Sequence, residues 1–388
     1  MEHKPDWPAA RERLTALWAG EVLDRPCIAV TAPSGHAVDR PDLPDDPAGR
    51  WLDPVHLRGL ARAALRSTWS GGEAIPSLLL NAGWVVSLGG RPRFSPQTIW
   101  FDPREVDVAA PSPFHHDHQD PWVCRHRAGY LALADLAGRD RFLVGSPCLL
   151  PANDLLSMHL GPQCFLTPLV DHPDWMRRAI LQGAHDLLQA RGELRGLVAG
   201  RHDFWYGNAG WMPFWAPEPY WPTQSDVSCM LSKRRSAAAN GRLLHRPSSR
   251  LQARPKHVFA AFVVPELTVY GESHGDLWYR LDGVHARHQL GHLLDLPFVR
   301  VVQYTPAPGD PANGPAHLEL YRRIQAAGRI VHIQVPPAHV EPLLCELDSA
   351  RLVLQASCPS PAEGEALLEA SAQWTGRASA RTCTQPAR

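Results

Sequence analysis

A chain of 388 residues with 44% apolar and 20% charged residues has ample material for a large buried core, which excludes disorder throughout. Its 39 basic and 39 acidic residues cancel, so the total charge gives no reason to expect nucleic acid or an anionic membrane as partner, and a small-molecule ligand is the default. No run reaches the roughly 18 to 20 apolar residues that span a bilayer, and the opening MEHKPDWPAARERL lacks the apolar centre of a secretion signal, so a cytoplasmic protein is expected.

In chain order, Trp7 to Gly20 places Ala10, Leu14, Leu17 and Trp18 at helical spacing and predicts an amphipathic helix. Cys27 to Thr31 (CIAVT) follows as a short β-branched run closed by Pro33 and Gly35, the pattern of a buried strand. Further short apolar runs predict strands at Ser77 to Asn81, Phe142 to Gly145, Gly196 to Gly200, Leu277 to Gly283, Phe298 to Tyr304, Arg329 to Val335 and Leu352 to Ser357. Helical patterns alternate with them, as in Pro54 to Thr68, Pro173 to Ala190, His317 to Ala327, Ala338 to Leu347 and Pro361 to Trp374. Continuous apolar strands alternating with helices point to an α/β protein with a parallel sheet covered by helices. Eight repeats favour a closed (β/α)8 TIM barrel over an open sheet, and no GxGxxG follows the first strand to suggest a dinucleotide fold. One domain over residues 1–375 is expected, with 376–388 as a flexible tail.

Two regions break the rhythm. Asp203 to Trp221 (DFWYGNAGWMPFWAPEPYW) has neither helical nor strand period, and its aromatics either wall a ligand at the barrel mouth or fill the loop's own core. Lys233 to His257 holds eight Lys or Arg residues and no acid, and is expected to be a disordered, solvated insertion. The eight cysteines include no CxxC pair, which predicts small buried thiols and no disulfide framework. The run His115, His116, Asp117 and His118 is the densest metal-like cluster, yet adjacent residues rarely converge on one ion, and a solvated loop is the expectation.

The phrases GEVLDRPCIAVTAP, NAGWVVSLGG with TIWFDP, VGSPCLL with NDLLSMHLG, YRLDGVHARHQLGHLL, RIVHIQVPP and LVLQASCPSPAEGEALL together resemble the uroporphyrinogen decarboxylase superfamily over roughly Leu14 to Trp374. The resemblance implies a (β/α)8 barrel and one of two chemistries. True decarboxylases act on a tetrapyrrole without a cofactor and bind substrate carboxylates through an arginine-bearing loop after the first strand. Here that stretch is APSGHAVDR, with Arg40 alone nearby. Related methyltransferases use zinc to activate a thiol and exchange methyl groups with a corrinoid protein. Their His-x-Cys and distal Cys correspond to His332, Gln334 and Cys358, so the first cysteine is replaced. The resemblance thus implies zinc on His332 and Cys358, with a third ligand from Asp282, Glu218 or Asp226.

The leading expectation is a zinc-assisted, methyltransferase-like enzyme with a separate corrinoid partner. The alternatives are a cofactor-independent decarboxylase of a tetrapyrrole or other acidic substrate and a non-catalytic ligand-binding barrel. Asp282, which closes the YRLDG strand, and Asp226 in QSDVSCML are the catalytic candidates; each has a plainer reading, as a helix cap or a surface acid. Trp205, Tyr206 and Trp215 in the aromatic loop, with Tyr304 and Gln334, are the substrate-binding candidates.

Overall fold

A computed structural model describes residues 3–76, 88–140, 142, 144–146, 150–198, 204–208, 212–227 and 258–383. The expected strand at Ser77 to Asn81 and the basic stretch Lys233 to His257 lie outside the described residues.

The strands are β1 (Cys27–Pro33), β2 (Thr68–Gly72), β3 (Pro92–Phe94), β4 (Ile99–Phe101), β5 (Val144–Ser146), β6 (Phe204–Asn208), β7 (Trp221–Gln224), β8 (Leu277–Asp282), β9 (Val299–Thr305), β10 (Ile330–Gln334) and β11 (Leu352–Ser357). Seven form one sheet in the order β2-β1-β11-β10-β9-β8-β7, in which every pairing is parallel except that of β1 with β2. A second, parallel pair joins β5 to β6, and β3 with β4 makes a small hairpin. The α/β class expected from the alternation is therefore observed. The hydrogen-bonded sheet does not close on itself among the described residues.

Two elements differ from the sequence reading. Gly196 to Val198 end the long helix Pro173–Val198, because Leu194 and Val198 continue its buried stripe at a spacing of four, and the strand comes later, at β6. β2 (TWSGG) reads as loop chemistry, yet it pairs antiparallel with β1 at the sheet edge. Gly72 makes that pairing sterically feasible: its φ is +57°, and a Cβ there would lie 2.2 Å from the Ile28 carbonyl oxygen. The next residue, Glu73, is fully buried; it accepts the Ile28 N–H at 2.6 Å and pairs with Arg25 at 2.7 Å, tying the hairpin to β1. At the other end of the chain, the helix Pro361–Cys383 continues past residue 375 into the expected tail.

Strand alternation gives the sheet two unlike faces. Ile28 and Val30, Tyr279 and Leu281, Val302 and Tyr304, Val331 and Ile333, and Leu352 and Leu354 share the large core with the helices. The other face begins apolar. Cys27, Ala29, Trp278, Val301, Ile330 and Val353 pack against Leu14, Leu17 and Trp18 of the helix Trp7–Ala19 and against Met212, Phe214 and Tyr220. Two residues further along each strand, the same face becomes polar. Among the described residues no helix is long and apolar enough to cross a membrane.

Candidate active site

All the parallel strands of the large sheet end at one edge, and their last inward residues lie side by side. The register aligns Gln224 with Arg280, Arg280 with Gln303, and Gln303 with His332; one step further, Asp282 lies opposite Thr305 and Gln334 opposite Gln355. Carboxyl ends of parallel strands are where α/β folds place their chemistry.

The structure brings the two predicted acids together. Asp282 closes β8, and Gly283, at φ +72°, turns the chain so that its N–H donates to Thr305 O at 2.7 Å. The Asp282 carboxylate meets Arg280 at 3.3 Å, and the cap position of the 3-10 turn Val284–Gln289 is Gly283, one place after Asp282. Asp226 follows β7. Burial and then the charge of Asp282 push its carboxyl above the usual range, against the opposing pull of Arg280 and a hydrogen bond from Gln224. A half-buried acid beside an ion-paired one places two carboxyls in unlike environments.

A third acid, Asp154, underlies them and escaped the sequence reading. It is 2% exposed at the start of the helix Ala152–Leu160, and it accepts the backbone N–H groups of Asp226 at 3.0 Å and Val227 at 3.1 Å. It thereby fixes the turn that carries Asp226. Burial and the charge of Asp226 raise its own carboxyl well above the ordinary range. Behind it, Glu266 is fully buried in the helix Val264–His274, where its carboxyl accepts from Ala152 N, Asn153 N, the Asn153 side chain and the Tyr270 hydroxyl. Burial raises the Glu266 pKa to about 7 in spite of those four donors. The sequence signal was faint: an Asn-Asp pair two residues after Pro151, where a helix starts.

The metal pair expected from the resemblance does not assemble. His332 is fully buried, and its Nδ1 accepts from the Trp278 indole at 3.0 Å while its Nε2 meets Gln355 Oε1 at 2.8 Å. Both ring nitrogens are engaged, and burial lowers its pKa to about 3. In register His332 stands beside Val353, five residues short of Cys358, which corresponds to roughly 16 Å along a strand. Cys358 also belongs to the helix-facing core, whereas His332 belongs to the opposite face, against Phe214 and Trp278. These donors do not fit one zinc ion, and no group of three or more metal-binding side chains occurs among the described residues.

Other expectations are corrected in the same way. Tyr304 is fully buried on the helix-facing side, where its hydroxyl takes the Arg287 guanidinium at 3.0 Å, so it does not face the strand-end pocket. Trp215 lies under the opposite end of the sheet, edge-on to Trp7 and beneath the Arg11 guanidinium. The described part of the aromatic loop thus fills the apolar floor and does not cap the mouth: Phe214 stacks on Trp278 at 5.5 Å and meets His332 edge-on. Gln334 is exposed at the end of β10, on the polar face. Trp205 and Tyr206 lie on β6, whose side chains are outside the described set. Glu218 is exposed in the loop before β7. His115 and His116 face Asp186 and Glu193 of the Pro173–Val198 helix, at 3.6 and 2.9 Å, and so pin their segment to it.

The fold has a solved counterpart. A methyltransferase from Methanosarcina mazei superposes with a TM-score of 0.57 at 13% identity, covering 94% of this chain and 98% of that one. At that identity the likeness concerns the fold. No family model and no curated protein matches the sequence.

Proposed function

We propose that the chain is a methyltransferase-type enzyme of the uroporphyrinogen decarboxylase superfamily, its strands closing into a (β/α)8 barrel and its small-molecule substrate held at the polar strand ends. The observation that carries this reading is the Asp226 and Asp282 pair, set on adjacent strand ends beside Arg280, in a chain whose fold extends over nearly the whole of a solved methyltransferase. The carboxyls divide the work by environment. Asp282, ion-paired to Arg280, accepts the proton that the substrate thiol or amine loses as it takes the methyl group from the corrinoid partner, and Asp226, whose carboxyl burial and the charge of Asp282 push upward, hydrogen-bonds the same substrate and holds it in line. Asp154 positions Asp226 through the two backbone bonds and touches no substrate. A separate corrinoid protein is the expected methyl carrier. No step uses zinc, because His332 and Cys358 do not converge. The fold comparison adds nothing to the decarboxylase alternative.

The test is methyl exchange. The purified protein is mixed with methylcobalamin and a panel of thiols and amines, and loss of the methyl–cobalt absorbance is followed. Turnover that falls by roughly 100-fold or more in Asp282→Asn supports the assignment. A folded protein that transfers no methyl group, or one whose turnover survives both Asp226→Asn and Asp282→Asn, ends it.

A further inference from the structure

Gln224 is 3% exposed, and its side-chain oxygen Oε1 has no hydrogen-bond partner among the described residues. The orientation of the amide is set by its neighbours: Nε2 donates to Asp154 at 3.3 Å, and the side chain also hydrogen-bonds Asp226. Turning it over would aim a carbonyl oxygen at two carboxyl groups and remove a donor from both. Oε1 is thus a buried acceptor that has lost its water and gained nothing in return, which marks a place where a donor is to arrive. One strand beyond Arg280, Gln303 is 6% exposed and likewise carries an unpartnered Oε1. Asp226 and Asp282 flank this row, and the single guanidinium within it, Arg280, is 3.3 Å from Asp282.

We propose that the corner formed by Gln224, Asp226 and Asp282 holds the ammonium end of a small organic amine. An ammonium group carries three donors and no acceptor, so it satisfies an amide oxygen and two carboxylates at once. A hydroxyl brings one donor and an oxygen that would need a donor of its own. The positive charge also pairs with the carboxyls of Asp226 and Asp282. This inference rests on reading the strand ends as the active site, and it names the class of substrate taken there.

Titration calorimetry of the full-length protein near neutral pH tests it, with n-butylammonium chloride as probe and n-butanol and potassium chloride as controls. Saturable binding of butylammonium alone is expected, weakened about tenfold by Gln224→Met and by Asp282→Asn, which each remove an acceptor or its charge. Should Gln224→Met fail to fold by circular dichroism, Asp282→Asn at the open strand end carries the comparison. Equal binding of butanol, displacement of butylammonium by potassium, or affinity unchanged in the folded variants overturns the proposal. Butylammonium binding without methyl transfer leaves this inference standing and removes the proposed reaction; methyl transfer by a protein indifferent to butylammonium does the reverse.

Discussion

The indole N–H of Trp278 donates to Nδ1 of His332 at 3.0 Å, which fixes the tautomer of a histidine that sequence reasoning had assigned to zinc. An indole nitrogen can only donate, so Nδ1 is unprotonated and the proton sits on Nε2, facing Gln355 Oε1. His332→Ala therefore loses two buried hydrogen bonds and leaves a cavity beneath Phe214. Stability is expected to drop by about 3 kcal/mol in urea denaturation. Metal content by mass spectrometry should be the same in the variant and the parent protein, and zinc lost specifically from the folded variant would restore the metal reading.

Acid stability follows from the buried histidines. Burial holds His332 at about 3, and His126 and His159 at about 4. The unfolded chain binds these protons from about 6.5 downward and the folded chain does not. Stability is therefore present in full above about pH 6.5 and is lost as pH falls toward 4. Urea midpoints measured across this window should decline steeply, and His126→Gln should flatten part of the slope. A midpoint independent of pH between 6.5 and 4 would contradict the assignment.

Glu266 acts in the opposite sense. Its folded pKa of about 7 lies above that of an ordinary carboxyl, so the folded state holds a proton that the unfolded state has released, and stability falls as pH rises from about 4.5 to 7. Glu266→Gln should abolish that component. It should also cost roughly 2 kcal/mol at every pH, because the amide NH2 replaces an oxygen that now accepts from Asn153 or from Ala152 and Tyr270. Paired pH titrations of the two proteins by chemical denaturation decide the point.

Gly72 is the backbone position least tolerant of change. Gly72→Ala meets both a left-handed φ and the Ile28 carbonyl, and should destabilise by more than about 2 kcal/mol, with hydrogen exchange accelerated in β1 and β2. Gly20→Ala shares the positive φ but has open space around its Cβ, and should cost less. Equal losses would show that strain, and not the close approach, sets the effect.

The alternation of apolar runs and helical stripes made the α/β class and most of the large sheet readable, since β1, β8, β9, β10 and β11 are compact, largely apolar runs. β7 (WPTQ) was unreadable because it contains a proline and two polar residues. β2 was hidden by its glycines. Within the site, Asp282 stood out because it closes a recognisable strand, and Asp226 because the phrase QSDVSCML carries the family resemblance. Asp154 and Gln224 did not, since a helix-start acid and a strand glutamine acquire meaning only through partners 70 residues apart. His332 misled for a related reason: its sequence neighbours resemble a metal motif, whereas its role is set by Trp278, 54 residues away.

The pairing of β1 with β11 brings Thr31 Oγ1 within 3.3 Å of Ser357 Oγ across a separation of 326 residues. Because β11 lies between β1 and β10, β1 gains its parallel neighbour only once the chain has been made as far as Ser357. Until then, β1 exposes an unsatisfied edge to every other nascent chain nearby. Such non-local closure makes assembly slow and gives chaperones a reason to hold the earlier-made strands until β11 arrives.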